Sequence, residues 1–346
     1  MLRLTPLALL LSVLALAACG GSDDEDATPA TTATTPSEQL RVGLITDLGQ
    51  LDDNGFNELA YRGLQRAEKE LGIKGRVIES ASAADYVPNM TSLARQGYDL
   101  VIGVGFAQGD AIGKVAQRYP DTKFAIIDVD QAYVPGKPAN VEGLLFREEE
   151  VGYLVGYLAG LEEKRREGKD VISAVGGMKE PPVDRFIAGY FAGAEKAAPG
   201  IETFLDYSQN WDDQAKCKEL ALNQIARGSN VVFQVAGGCG LGALSAAGER
   251  DRWGIGVDAD QSFLGPHILT SAQKGVDSAV FLTIKAIQDG VWKGGGNATF
   301  GLEEDGVGLG KVSPDVPKAD VDKVEQIKQQ IADGEITGIP TEVPAS

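Results

Sequence analysis

LARQGYDLVIGVG (residues 93–105), a helical segment and FAIIDVD (124–130) are followed later by a second copy, IARGSNVVFQVAGG (225–238) and WGIGVDAD (253–260). In each copy an apolar run rich in Val and Ile, bounded by glycines, reads as a buried strand. A Gly-rich turn, a helix and a further strand ending in Asp-x-Asp come next, in the same order. Phe56 to Lys69 and Phe186 to Lys196 correspond more loosely, as helices after a first strand. The unit is far longer than the 20–50-residue period of a solenoid, so the body of the chain reads as one lobe written twice.

Outward from these copies, β-rich runs at 41–46, 75–80, 99–104 and 123–128 alternate with helical segments at 56–71, 87–96 and 108–118. Strands at 170–175, 201–206, 230–235 and 253–258 alternate likewise with helices at 183–197, 212–227 and 241–249. Such alternation predicts an α/β fold of two similar, doubly wound parallel-sheet lobes joined by a hinge. Residues 40–145 plus about 271–300 are expected in the N-terminal lobe, and 146–270 plus about 301–346 in the C-terminal lobe. Ser271 to Gly290 reads as one amphipathic helix, broken by Gly294-Gly295-Gly296, and Asp322 to Asp333 as a final helix.

The first nineteen residues read as a leader rather than as part of this body. Arg3 precedes an apolar run from Leu4 to Ala17, shorter than the roughly 20 residues a membrane span needs and suited to a secretory signal. The run ends in Leu16-Ala17-Ala18-Cys19, a lipobox pattern that makes Cys19 the expected lipidation site. Residues 20–39 are dominated by Asp, Thr, Ala and Pro; they offer no apolar surface to offset ordering and read as a disordered tether. The expected location is the extracytoplasmic face of the cell membrane, held there by acyl chains.

With 50 acidic against 32 basic residues, the formal net charge is −18, which argues against nucleic acid as a partner. His267 is the only histidine, and no H-E-x-x-H, C-x-x-C or G-x-S-x-G motif occurs. No metal site and no catalytic residue are therefore expected. The glycines at 103–105 and 237–240 keep neither nucleotide-loop spacing, and no cofactor is expected.

In open parallel sheets, ligands bind beyond the carboxyl ends of the strands. Loops 46–56, 81–87, 105–110 and 128–133 lie there in the first lobe, and 176–183, 207–212, 236–241 and 258–263 in the second. Asp47 leaves the first strand, and Phe56-Asn57 open the first helix. A helix cap at Asp53 or Asn54 accounts for the acids of this stretch, but not for an aromatic ring beside an amide. Asp128 and Asp258 end matching strands, where a carboxylate can accept bonds from ligand hydroxyls or N–H groups or can cap the next loop. Trp211 sits in a polar loop, where it can cover the core edge or face an aromatic ligand. Cys217, near a helix start, and Cys239, just past the next strand, both fall at the cleft end of an αβ unit. An exported location permits oxidation, so a Cys217–Cys239 disulfide is expected.

TDLGQLDDNGFNELAYRGLQRAEKELG (46–72) resembles the signature of the basic membrane protein family, lipoproteins of ABC transporters whose purine nucleoside receptor branch binds nucleosides. The likeness continues in VIGVGF (101–106), GGMKEPPVDRFIAGYFAGAEKAAPG (176–200), VVFQVAGGCGLGAL (231–244), IGVDADQ (255–261) and ILTSAQKGVDSAV (268–280). It implies a type I periplasmic-binding-protein fold. It also implies that Asp47 and Asn57 bond a purine edge, with Asp128 from the facing loop, while Phe56 and Trp211 stack on its two faces. Gly238, Asp258 and Lys274 would meet the ribose, and Met178 joins the implied ligand set. Trp211 replaces the Phe common in the family, and Gln50 and Gly55 replace its usual Gly and Ser. The function so implied is that of an extracytoplasmic solute-binding lipoprotein of an ABC importer. It would take a purine nucleoside, partner ABC permease subunits and sit on the membrane through its lipid. A sensory binding protein for a nucleoside or sugar, and a nucleoside-processing enzyme, are the alternatives; the enzyme would need a nucleophile or base at the cleft.

The leader reading has a direct test. Cys19→Ser is expected to release the protein in soluble form, and retention of the variant in carbonate-washed membranes contradicts lipidation at this residue.

Overall fold

The computed structural model describes residues 39–343; Cys19 and the tether expected over 20–39, save Gln39, lie outside them. The first lobe opens with β1 (Arg41–Ile45), α1 (Phe56–Leu71), β2 (Lys74–Ile78), α2 (Tyr86–Arg95), β3 (Leu100–Gly103), α3 (Gly109–Ala116), β4 (Lys123–Ile127) and β5 (Val141–Phe146). The second holds α4 (Glu148–Glu163), β6 (Val171–Gly176), α5 (Pro181–Ala197), β7 (Glu202–Tyr207), α6 (Gln214–Ala226), β8 (Val231–Val235), α7 (Gly237–Glu249), β9 (Trp253–Asp258) and β10 (Ile268–Lys274). The chain closes with α8 (Val276–Gln288), β11 (Gly296–Phe300), β12 (Val307–Leu309) and α9 (Lys318–Ala332).

Two six-stranded sheets result, ordered β11-β5-β4-β3-β1-β2 and β12-β10-β9-β8-β6-β7. All neighbours run parallel except β12, which is antiparallel to β10. Strand for strand, β2-β1-β3-β4-β5 matches β7-β6-β8-β9-β10, so the duplication legible in the sequence is a duplication of topology. The central strands are apolar throughout because helices cover both sheet faces: Leu100, Val101 and Ile102, like Val231, Val232 and Phe233, are wholly buried.

The helix expected over 271–290 is corrected. Ile268–Lys274 is a strand that pairs with β9 and β12, and the helix begins only after Gly275. Nearly every residue of β10 is buried, so the strand shows no period-2 alternation, and its apolar positions merge with the helical pattern that follows. The last helix starts a turn earlier than Asp322, at Lys318. Helix α4 is almost entirely buried and so carries no amphipathic signal. It packs directly on α5 through Gly152, Gly156 and Gly160, where any side chain would collide with the α5 backbone or with Ala197.

The chain passes between the lobes three times, at residues 146–148, 274–276 and 300–307. Backbone bonds tie these crossings together. Arg147 N–H donates to Phe300 O (3.0 Å) and Gly275 N–H to Gly306 O (2.8 Å), while Glu150 Oε2 accepts from Leu302 N–H (2.8 Å). Three adjacent crossings form a hinge about which the lobes can close.

Cys217 and Cys239 are joined as a disulfide, with 5.6 Å between their Cα atoms. The link clamps the first turn of α6 to the first turn of α7. Cys239 N–H also donates to Trp211 O at 2.7 Å, so the clamp holds the loop that carries Trp211. A loop of this length stabilises by about 2–4 kcal/mol. Replacing both cysteines by alanine is expected to lower unfolding stability by about that amount in denaturant titrations; unchanged stability contradicts a structural disulfide.

Candidate functional site: the interlobe cleft

Between the carboxyl ends of the two sheets lies a cavity of about 630 Å³. Asp47, Phe56, Asn57 and Asp128 line it from the first lobe, and Trp211, Gly238, Asp258 and Lys274 from the second. Met178 is not among the lining residues; the turn that follows it supplies Glu180, Pro182, Val183 and Phe186 instead. Of these, Phe186 had a signal in the sequence, since the loose alignment of the copies sets it opposite Phe56. Glu180 and Phe106, which also line the cavity, were marked only by lying in loops 176–183 and 105–110 at the carboxyl ends of the strands.

The first loop is built around Asp53. Its carboxylate accepts the backbone N–H groups of Gly55 (2.9 Å), Asn57 (2.9 Å) and Glu58 (3.2 Å), the unpaired donors at the start of α1. It also accepts from Asn57 Nδ2 at 3.1 Å, while Asn57 Oδ1 accepts the Asp47 N–H at 3.0 Å. Much of the hydrogen-bonding capacity of Asn57 is thus spent on bracing the loop. Asp47 Oδ1 accepts from the Tyr86 hydroxyl (2.5 Å) and the Leu48 N–H (2.7 Å). The carboxylate lies against Gly105, whose φ of +106° and lack of a side chain allow that approach. Burial pushes the Asp47 pKa up to about 6 despite the bonds from Tyr86 and Leu48.

Deeper in the cleft stands Lys274. Its Nζ donates to the two Asp128 oxygens (2.7 and 2.8 Å) and forms an ion pair with Glu148 Oε1 at 2.8 Å. It is also 5.2 Å from the Phe56 ring centroid and 4.8 Å from that of Phe146. Burial opposes its charge, but Asp128, Glu148 and Asp258 outweigh burial and hold its pKa above the usual lysine range. Asp128 and Asp258 occupy corresponding places after β4 and at the end of β9, and both adopt left-handed backbone, with φ of 71° and 62°. That conformation is tolerated by Asp and turns both carboxylates into the cleft. Burial raises Asp258 to about 7, with Lys274 opposing the rise. Glu180 is likewise raised to about 7 by burial, Asp47 and Asp128.

The cavity therefore presents five carboxylates and one lysine, and that lysine is already paired with Asp128 and Glu148. Such a lining suits an uncharged or cationic ligand rich in donors and repels anions. Trp211 supplies an aromatic wall: its indole lies on Gly177, where any side chain would collide with it. Gly238, in the first turn of α7, leaves backbone at the cavity surface. Among the described residues no group of His, Cys, Asp and Glu is arranged to hold a metal ion. No helix among them is long and apolar enough to cross a membrane.

Residues 40–340 match the family described as ABC transporter substrate-binding protein, PnrA-like (Bmp). The chain is 34% identical to the CD4+ T-cell-stimulating antigen of Listeria innocua, over 95% of both chains. It is 34% identical, again over 95% of both, to the ABC transporter nucleoside-binding protein BmpA of Lactococcus lactis. Basic membrane protein D of Borreliella burgdorferi is 35% identical over 86% of this chain and 84% of that one. Among solved structures, an ABC transporter solute-binding protein from Aeropyrum pernix superposes with a TM-score of 0.79 at 29% identity, covering 87% of this chain and 94% of that one. With two duplicated parallel-sheet lobes, a cleft between them and these relatives over nearly its whole length, the chain belongs to the Bmp family of PnrA-like ABC transporter substrate-binding proteins.

Proposed function

We propose that the cleft captures a purine nucleoside and delivers it to an ABC permease from the extracytoplasmic face, where a lipid on Cys19 anchors the protein. The observation that carries this reading is the pairing, in one cavity, of aromatic walls from opposite lobes (Phe56 and Trp211) with carboxylates at its polar ends. A nucleoside matches that pattern, having a flat π-face and a sugar that offers hydroxyl donors. The nucleoside-binding relative from Lactococcus, similar over 95% of its length, supports it further. In this reading Asp258 accepts ribose hydroxyls, Asp47 accepts donors of the base, and Gly238 lets the sugar approach backbone. Lys274 fixes Asp128 and Glu148 through its ion pairs and, lining the cavity, meets the ribose as well.

Stacking of a base on an aromatic side chain is worth about 1–3 kcal/mol by alanine substitution, and about 1.4 kcal/mol is a factor of ten. Trp211→Ala is thus expected to weaken nucleoside binding roughly tenfold to a hundredfold in calorimetry. Asp258→Ala is expected to weaken ribosides and spare free bases, whereas Asp47→Ala weakens both. Equal losses for ribosides and free bases in the Asp258 variant would show that it does not hold the sugar. A wild-type protein that binds hexoses and no nucleoside overturns the nucleoside reading.

A further inference from the structure

Asp53 and Glu180 both stand just ahead of a helix that opens into the cleft, yet their carboxylates are used differently. Asp53 is consumed by the first turn of α1, whose N–H groups it accepts. Glu180 occupies the N-cap of α5, but the next two residues are Pro181 and Pro182, which have no N–H to offer. No cap bond forms from its side chain, and the Lys179 ammonium beside it is taken by Asp184 at 2.7 Å. The Glu180 carboxylate is left facing the cavity, close enough to Asp47 and Asp128 for their charges to act on it. Asp128 has Lys274 as its partner, whereas Asp47 has only the Tyr86 hydroxyl and the Leu48 N–H. One carboxylate from each lobe, neither paired with a cation among the described residues, thus lines the one cavity.

Two such groups repel each other, and a ligand carbonyl placed there would add a third acceptor. An amino group satisfies both, because it carries two hydrogens on one nitrogen and accepts almost nothing in return. Resting on the nucleoside reading and narrowing it, we propose that Glu180 with Asp47 makes the cleft selective for nucleosides whose base bears an exocyclic amino group, held between the two carboxylates. Adenosine and guanosine belong to this class; inosine, with a carbonyl and no amino group, does not. Glu180 is then a specificity-determining residue supplied by the second lobe, and closing the cleft brings it to the amine.

Calorimetry with adenosine, guanosine and inosine at pH 8 on the wild type, Glu180→Leu and Glu180→Gln tests this. A hydrogen bond to a charged group supports a wild-type preference of roughly ten- to a hundredfold for adenosine or guanosine over inosine. In Glu180→Leu that preference is expected to collapse to within about threefold while inosine binding is kept or strengthened, with Glu180→Gln in between. Retained inosine binding also establishes that the variant is folded. A wild type that binds inosine as tightly as both amino nucleosides overturns the proposal, as does an unchanged preference in Glu180→Leu; either leaves the nucleoside reading standing. A wild type that binds none of the three overturns both.

Discussion

The buried ammonium of Lys274 is the interaction on which the two-lobed arrangement turns. Asp128 comes to it from the end of a first-lobe strand and Glu148 from the first residue of α4, at the first crossing. Lys274 itself ends β10, where the second crossing begins. Removing one member of a buried ion cluster costs about 3–5 kcal/mol because the remaining charges are left unpaired. The cluster thus fixes which arrangement of strand ends faces the cleft, and Asp258 is held beside it with a pKa near 7. Phe56, Phe146 and Phe186 pack round the ammonium and exclude water from it.

Duplication supplied two nearly equivalent halves of a site, and divergence gave them separate work. The left-handed Asp128 and Asp258 show the common ancestry of geometry, but one neutralises Lys274 while the other keeps an open carboxylate. Gln131 and Gln261 stand at matching places after them. Gln131 Nε2 donates within its own lobe, to Pro138 O (3.2 Å), whereas Gln261 Nε2 reaches across the cleft to Asn54 O (3.2 Å). Gln261 is itself braced by Gln234 at 2.9 Å, so the second lobe grips the tip of the first loop through a chain of amides whose two glutamines are buried. Closure is built from such unequal pairs rather than from a symmetric clasp.

What the sequence reveals depends on how each residue is surrounded. The central strands were legible because burial on both faces leaves unbroken apolar runs, and the two copies reinforced each other. β10 was misread for the same reason: a strand without alternation beside a true helix inherits the helix's pattern. Helix α4, apolar all round and packed through glycines, offered no period to read. At the cleft, eight of the nine residues named from the sequence line the cavity, because strand ends and loop starts are fixed by topology. Met178 does not, and Glu180 two positions later does. Glu180 is the N-cap residue ahead of the paired prolines that open α5, a local placement that no spacing rule captures. The engagement of Asn57 with Asp53 and Asp47 was hidden likewise, since an amide in a loop can face inward or outward.

The claim that ligand donors meet carboxylates raised by burial is tested most directly by counting protons. With Asp47 near 6 and Asp258 and Glu180 each near 7, the empty cleft at pH 6.5 holds about two protons on these three groups. Donors bonded to the ionised forms lower all three pKa values in the complex, so those protons leave on binding and affinity rises with pH until about 8. Titration of adenosine at pH 6.5, in two buffers of different ionisation enthalpy, gives the number directly. Release of up to about two protons per ligand is the expected result; no exchange, or proton uptake, contradicts it.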